Sequence, residues 1–381
     1  MRIGILTYRQ YPYVSANTSI GYSIGETLSQ EYNHEVIYIG RRQDDSQSCI
    51  NDYKGSKICF LNKKIKKGHL QKVKNLMKRY LSASLFIGAD AKMLKTIVKK
   101  EQIDALICII APIDDARIVQ RARLSIPCIL YQLDPFYHFE DRIDAKKKQE
   151  FLKILISFQT IFTTDLLMKE YKCDAAFNNI IHKFKVAEFP LLKPVPITEP
   201  VEKDLKKIRL LYAGSFYPRI RPSQILINLK SILPENYQII FCGTCDNERD
   251  FKLFHENGII CKGMLLPDQL MEEYKKSDIL INIGNIIKTQ MGSKLIAYIA
   301  TGKPILNLMQ FDDCTVNVLK DYPYALNVLD SEIGEQREKI VNFLEKYKTF
   351  SAPYEEIEKN YISYTPHYVA QQMIEVLNNK R

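Results

Sequence analysis

The segment Gln290–Pro304 is the clearest candidate for chemistry in this sequence, because it places a glycine, a hydroxyl and a cation where a helix should begin. Gly292 lets a ligand approach the backbone, Ser293 is placed as the helix N-cap, and Lys294 adds a positive charge. Gly302 stands just past the expected end of the helix. Free amides and the helix dipole favour an anion at such a start. The segment therefore predicts a diphosphate site, although an ordinary capped helix shows the same pattern.

A second loop suggests the same ligand. The apolar run Ile208–Ala213 predicts a strand, and Gly214 follows it, where α/β folds bring backbone amides close to phosphate. Arg219 and Arg221 lie a few residues further on and would neutralise phosphate charge. No G-x-G-x-x-G motif follows the first strand of either half of the chain, which argues against NAD or FAD.

The nine cysteines are odd in number and scattered, so we expect reduced thiols. Cys242 and Cys245 form the closest pair, and His255 and Cys261 follow them. A structural zinc site would usually show a second close pair, and a redox pair usually opens the first helix of a thioredoxin-like unit. We therefore expect buried thiols at a strand end, with metal or redox chemistry as the alternative.

The elements that position these residues follow from the alternation of short β-rich runs with helix-length segments, which predicts parallel sheets covered by helices. Four prolines between positions 190 and 200 predict a linker. We assign residues 1–190 to a Rossmann-like N-terminal domain, 191–205 to the linker, 206–365 to a second Rossmann-like domain, and 366–381 to a helix that packs back onto the first. The fold class is α/β, with two doubly wound parallel sheets facing across a cleft.

The composition excludes several classes of protein. A chain of 381 residues that is 46% hydrophobic can form two domains with cores, and it is neither disordered nor a small disulfide scaffold. The apolar run after Met1 is too short for a signal peptide, and no run approaches the length of a membrane-spanning helix. We expect a cytoplasmic protein.

The positive charge is concentrated in the first half. Residues 1–190 carry 30 basic and 20 acidic side chains, which accounts for the whole net charge of +10. Eight bases and no acid fall between Lys63 and Arg79, and the apolar spacing predicts an amphipathic helix over about 69–83. Such a helix suits an anionic bilayer, here the inner face of the plasma membrane. A solvated helix packed on its own domain is the alternative, and nucleic acid is disfavoured because no recognition motif is present.

Six segments spread over almost the whole chain form a set. They are Asn33–Val36, Tyr131–Phe136, Phe189–Pro190, Leu211–Ser215, Lys276–Asn285 and Ser293–Ile305. Together they resemble the GT-B glycosyltransferases, and within that fold the retaining, group 1 or family 4-like enzymes that build bacterial surface polysaccharides. The last segment, which resembles the donor-binding helix, is the most specific match.

The resemblance implies a nucleoside-diphosphate sugar held by the second domain and a saccharide or lipid-linked acceptor held by the first. Asn17 and Thr18 would lie on the acceptor side, near the reacting sugar. Asp134 and His138 are candidates for catalysis there. The spacing of the two arginines departs from the usual Arg…Lys pair of the family. Donor-binding residues would be Gly214, Ser215, Phe216, Arg219, Arg221, Gly243, Met264, Gly292, Ser293 and Lys294.

One departure affects the expected function. Many retaining members carry two glutamates eight residues apart, whereas this sequence has Thr289 and Ala297 there. The ribose must then be held otherwise, and an altered donor or an inactive relative is possible. We therefore consider three functions: a glycosyltransferase, a non-catalytic nucleotide-sugar-binding or scaffold subunit, and a sugar-nucleotide epimerase. We expect no metal and no cofactor, and solvated loops at Asp114–Asp115 and Asp312–Asp313.

Overall fold

The computed structural model describes residues 1–13, 15–43, 47, 50–62, 83–110, 112–139, 142–195, 207–217 and 221–379. Arg219, most of the predicted linker and nearly all of the predicted basic helix over 69–83 lie outside these residues. The chain divides into two compact units. The first comprises Met1–Tyr137, Asp144–Pro190 and Ser363–Arg381, and the second comprises His138–Ile143 and Leu191–Ile362.

The described part of the chain up to Pro190 alternates strands and helices. Its helices are α1 (Ala16–Gln30), α2 (Ala83–Lys100), α3 (Ile113–Ala122), α4 (Ala145–Leu155) and α5 (Asp165–Lys172). Its strands are β1 (Arg2–Leu6), β2 (Glu35–Gly40), β3 (Asp52–Tyr53), β4 (Ser56–Phe60), β5 (Ala105–Ile109), β6 (Cys128–Gln132), β7 (His138–Phe139), β8 (Arg142–Ile143), β9 (Thr160–Thr163) and β10 (Phe184–Val186). β7 and β8 form a hairpin that groups with the second unit.

The sheet of the first unit has the strand order β10-β9-β6-β5-β1-β2-β4-β3. Its strands are parallel except for β3, which pairs antiparallel with β4. β1 pairs with β2 on one side and with β5 on the other. The strands after β1 are therefore added first on one side and then on the other, and the topological switch lies between β1 and β5. Each residue of Ala105–Ile109 is buried, as expected for a strand covered on both faces. This topology opens a crevice at the carboxyl ends of β1 and β5.

The remaining described helices and strands build the second unit and the C-terminal helix. The sheet is wholly parallel, with the order β13-β12-β11-β14-β15-β16. Its strands are β11 (Ile208–Ala213), β12 (Tyr237–Cys242), β13 (Ile260–Gly263), β14 (Ile279–Ile283), β15 (Ile305–Met309) and β16 (Ala325–Leu329). Its helices are α6 (Gln224–Ile232), α7 (Glu248–Glu256), α8 (Pro267–Lys276), α9 (Lys294–Ala300), α10 (Cys314–Leu319), α11 (Arg337–Tyr347) and α12 (Tyr354–Tyr361), and α13 (Pro366–Asn378) follows.

The C-terminal helix α13 belongs to the first unit and packs against α1. The imidazole of His367 stacks on Tyr32 with ring centroids 5.7 Å apart. Its Nδ1 atom lies 2.5 Å from the carboxylate of Glu31. The end of the chain is thereby fixed to the start of the first unit.

The architecture confirms the prediction of two Rossmann-like units with doubly wound parallel sheets. Each has an apolar core between sheet and helices. Among the helices in the described residues, none is both long enough and apolar enough to span a bilayer.

The turn that ends α9 provides a test of the fold. Gly302 has φ of +69°, and a Cβ there would overlap the backbone carbonyl of Ala352. We expect Gly302→Ala to destabilise the second unit by about 2–4 kcal/mol, because it combines left-handed backbone strain with a steric overlap. Urea unfolding followed by circular dichroism measures the loss. Gly334→Ala is the matched control, since a Cβ at Gly334 would lie more than 4 Å from every atom of the described residues that could obstruct it. Equal stability of the two variants would contradict this account.

Candidate active site

The loops after β11 and β12 are joined at the carboxyl edge of the second sheet. The N–H of Gly214 donates to the carbonyl of Cys242 over 2.9 Å. The hydroxyls of Thr244 and Ser215 are hydrogen-bonded at 3.0 Å. Gly214 and Ser215, both predicted to bind diphosphate, therefore lie in a loop whose backbone is held from the neighbouring strand.

Gly243 and Met264 extend this edge toward β13. The N–H of Gly243 donates to the carbonyl of Gly263 over 2.8 Å, and a Cβ at Gly243 would overlap the carbonyl of Gly214. Only glycine allows the two loops to approach this closely. Met264 follows with 76% of its surface exposed. An apolar side chain left open beside closely packed loops could cover the face of a flat ligand.

The thiol of Cys242 is buried at the end of β12, as predicted. Burial raises the pKa of this thiol to about 11, so it stays protonated at neutral pH. Cys245 is half-buried, and burial likewise raises its pKa. The eight cysteines within the described residues form no disulfide. Protonated thiols are poor metal ligands and poor nucleophiles, so neither metal binding nor redox chemistry gains support for this pair.

Arg221 joins three parts of the edge. Its Nη1 donates to the hydroxyl of Tyr212 over 2.9 Å and to the carbonyl of Ser215 over 3.3 Å. Its Nη2 donates to Oδ1 of Asn285 over 2.6 Å. A Cβ at Gly292 would lie 3.3 Å from Nη2, so the start of the Gly292 segment borders the guanidinium. The sequence predicted Arg221 but gave no role to Asn285, which lies two residues after the end of the apolar strand β14.

Lys294 places a second cation near the first. The side chain of Lys294 is exposed to solvent, but many protein atoms lie around it and partly desolvate its ammonium group. Desolvation, together with the charge of Arg221, lowers the pKa of Lys294 to about 8. No ion pair involving Lys294 is present among the described residues. Two neighbouring cations, one of them without a counterion there, form an environment that attracts an anion.

Asp313 departs from the expectation of a solvated loop. Its carboxylate is buried, and burial raises its pKa. It accepts hydrogen bonds from the backbone N–H and the hydroxyl of Thr315, over 2.8 and 2.5 Å. A Cβ at Gly284 would overlap this carboxylate. Asp115, in the other adjacent pair, is also buried, whereas Asp114 is half-buried and Asp312 is exposed. The expectation of solvated loops is therefore wrong for one carboxylate of each pair, because each of these two lies at the start of a helix whose first turn is buried.

Ser293 precedes α9, but its hydroxyl does not cap the helix. The helix has only seven residues, so its dipole is small, and the positive charge of the site comes mainly from Arg221 and Lys294. Tyr298 fixes α9 to the sheet, since its hydroxyl accepts from the N–H of Ala213 over 2.8 Å and donates to its carbonyl over 3.1 Å. The helix that carries Lys294 is therefore held against the sheet.

Phe216 was predicted to bind the donor, but the structure places it in the core. Its side chain is 1% exposed and packs with Phe241 and Phe254, so it is not available to a ligand.

Thr289 and Ala297 stand where many of the retaining enzymes that this sequence resembles have glutamates. The hydroxyl of Thr289 is buried without a hydrogen-bond partner in the described residues, and Ala297 is half-buried on α9. Neither position offers a carboxylate.

Four predicted site residues lie in the first half of the chain, namely Asn17, Thr18, Asp134 and His138. The Nδ2 of Asn17 donates to the carbonyl of Ile110 over 2.7 Å, and the hydroxyl of Thr18 donates to the carbonyl of Arg9 over 3.1 Å. Both side chains are buried; Asn17 holds α1 to the end of β5, and Thr18 positions the loop after β1. Asp134 is half-buried in the first unit, and His138 lies in the β7–β8 hairpin. Their roles in catalysis stay predictions.

Comparison with solved structures gives the fold its name. Sucrose-phosphate synthase from Thermosynechococcus elongatus matches with a TM-score of 0.66 and 11% identity, over 99% of this chain and 98% of its own. Anabaena HepE, solved in complex with UDP and glucose, matches with a TM-score of 0.65 and 11% identity, over 99% of each chain. The chain has the GT-B fold.

The same fold occurs in proteins of other described activity. A putative UDP-N-acetylglucosamine 2-epimerase from Listeria monocytogenes matches with a TM-score of 0.61 and 10% identity, over 98% of this chain and 94% of its own. No protein-family model and no curated protein matches the sequence. The GT-B fold therefore does not distinguish a transferase from an epimerase, and the chemistry of the site must do so.

The pKa of Lys294 generates a test of the anion site. Because this pKa is about 8, the side chain loses its charge as the pH rises from 7 to 9.5, whereas the phosphates of UDP stay ionised. We expect UDP affinity to fall on the order of tenfold across this range. Lys294→Arg should remove most of the fall, since guanidinium stays protonated. Calorimetric titration measures both.

Lys252→Arg is the control, because Lys252 is an exposed lysine elsewhere on the second unit. That variant should keep the pH dependence of the unmodified protein. An unchanged pH slope in Lys294→Arg would exclude Lys294 from the anion site.

Proposed function

We propose that this protein is a glycosyltransferase that moves a sugar from a nucleoside-diphosphate sugar to a saccharide or lipid-linked acceptor in glycan synthesis. The observation that carries this proposal is the approach of Arg221 and Lys294 to each other beside Gly214 and Ser215 at the carboxyl edge of the second sheet. This is the edge at which α/β sheets bind ligands.

The chemistry follows from the charge that develops on the leaving group. As the bond between the anomeric carbon and the diphosphate breaks, negative charge grows on the diphosphate oxygens. Arg221 is already oriented by Tyr212, Ser215 and Asn285, so it stabilises that charge without reorganising. Lys294 becomes more basic as the anion forms beside it and adds to the same stabilisation. These cations supply the electrostatic role that a metal plays elsewhere, and we propose a metal-independent reaction that retains the anomeric configuration.

The nucleoside lies, in this proposal, against the closely packed backbone at Gly243 and the exposed Met264. UDP is the first nucleotide to test, because HepE was solved with UDP bound in the same fold. The acceptor is assigned to the first unit. The basic composition of residues 1–190 supports an anionic acceptor and peripheral contact with the inner face of the plasma membrane.

Two other functions have specific observations in their favour. Thr289 and Ala297, which replace the expected glutamates, favour a non-catalytic subunit that binds nucleotide sugars. The likeness to a putative epimerase favours isomerisation of the donor. Each predicts a different result when UDP-, GDP- and dTDP-sugars are mixed with the protein.

We expect nucleotide release that depends on a lipid-linked or saccharide acceptor, because transfer consumes both substrates. Chromatographic detection of free nucleotide, with and without acceptor, measures it. Binding of nucleotide without release under any condition would support the scaffold. Isomerised donor sugar in the absence of acceptor would support the epimerase.

A single hydroxyl tests the placement of the diphosphate. Ser293→Ala should weaken UDP binding by about 1–3 kcal/mol if the hydroxyl bonds a charged phosphate. Ser231→Ala is the control, because Ser231 is exposed and its hydroxyl donates, within the described residues, to the carbonyl of Asn228 in its own helix. Titration calorimetry compares the two variants, and equal affinities would remove Ser293 from the site.

A further inference from the structure

A cavity of about 390 Å³ lies at the carboxyl edge of the first sheet. Tyr8 and Arg9 follow β1, Arg41 follows β2, and Pro112 and Asp114 follow β5, and Ser15 completes the lining. These strands flank the topological switch between β1 and β5, where open α/β sheets bind ligands. The volume lies within the range of small-molecule sites.

The loop that carries Arg9 is fixed by its backbone. The carbonyl of Arg9 accepts hydrogen bonds from the hydroxyls of Thr7 and Thr18, over 2.9 and 3.1 Å. The N–H of Tyr11 donates to the hydroxyl of Tyr22 over 2.8 Å. The side chain of Arg9 is exposed, and its guanidinium has no hydrogen-bond or ion-pair partner in the described part of the chain. A rigid backbone therefore presents a cation that the described residues leave uncompensated.

Arg41 and Asp114, the other charged groups of the wall, already have counterions. Arg41 Nη2 lies 2.5 Å from Asp90 Oδ2, and its guanidinium lies 5.5 Å from the ring centre of Tyr8. Asp114 accepts from Arg117 over 2.8 Å. The Nε of Arg41 is buried without a hydrogen-bond partner among the described residues. Among the described residues, Arg9 is thus the one charged group of the wall without a counterion, and the cavity can accept an anion beside it.

The remaining polar groups suit a phosphate joined to a hydroxylated molecule. Ser15 stands at the start of α1, a helix of fifteen residues, where the helix dipole favours negative charge. The carboxylate of Asp114 accepts hydroxyl hydrogen bonds but repels a phosphate. A wall that offers both a guanidinium and a carboxylate fits a ligand that carries phosphate and hydroxyls together.

On the basis of the proposed function, we propose that this cavity is the acceptor subsite and that it binds a phosphate group of the acceptor through Arg9. Arg41 is a further donor, and the start of α1 lies beside it. The phosphate is either an ester on a saccharide or the headgroup phosphate of a lipid. The recognition chemistry is the same in both cases, and the experiment separates them.

The test measures phosphate binding to the full chain with UDP present at saturating concentration, so that the second unit's anion site is occupied. Glucose 6-phosphate is compared with glucose by titration calorimetry. Vesicles of phosphatidic acid in phosphatidylcholine are compared with phosphatidylcholine alone by co-sedimentation. Arg9→Gln should weaken phosphate binding about tenfold, because it removes one charge-assisted contact.

Arg123→Gln is the matched control, since Arg123 is an exposed arginine at the far end of α3. It loses the same charge away from the cavity and should keep the affinity of the unmodified protein. Asp114→Asn should tighten phosphate binding, because it removes a like charge from the wall.

Arg9-dependent binding of glucose 6-phosphate supports a saccharide phosphate, and Arg9-dependent binding of phosphatidic acid alone supports a lipid phosphate. Equal losses in Arg9→Gln and Arg123→Gln, or no preference for either phosphate probe, would overturn the subsite. Phosphate binding that depends on Arg9 in a protein that neither binds UDP nor releases nucleotide would contradict the proposed function and leave the anion subsite standing.

Discussion

The hydrogen bonds of Arg221 are the interaction on which the proposed donor site depends. A partly buried guanidinium is costly unless its donors are satisfied, and Tyr212, Ser215 and Asn285 satisfy two of its nitrogens. These partners come from β11, from the loop that follows it, and from the loop after β14. One cation thus connects loops that are distant in sequence, and its charge helps to lower the pKa of Lys294. The site is positive because Arg221 is held in place.

The first unit also presents loops at the carboxyl edge of parallel strands. The two arginines that line its cavity differ in whether they have a counterion. Arg41 is paired with Asp90, whereas Arg9 extends from a fixed backbone without a counterion among the described residues. In the second unit the cations lie close enough to shift a pKa, and in the first one arginine has no counterion among the described residues. Two similar folds therefore present cations in two different arrangements.

Much of the fold follows from local sequence. β11 has the ends that the sequence predicts, because a parallel strand buried on both faces reads as a continuous apolar run. The pattern is weaker at β4, where Ser56 and Lys57 interrupt the apolar residues of a strand near the sheet's edge. The site is less predictable: Arg221 and Lys294 stand beside glycines that mark turns, whereas Asn285 and Asp313 carry no signal of their own, since their burial depends on neighbouring strands.

The sequence by itself determined the two Rossmann-like units, the turn at Gly302, and the concentration of basic residues before residue 190. These properties depend on periodicity, backbone freedom and composition, which are local or additive. Only the tertiary structure decided that Phe216 lies in the core, that Thr18 supports a loop, and that Arg9 and Arg41 share a cavity. Strand order brings residues from separate loops to one edge of a sheet, and no local pattern in the chain records which strands will be neighbours.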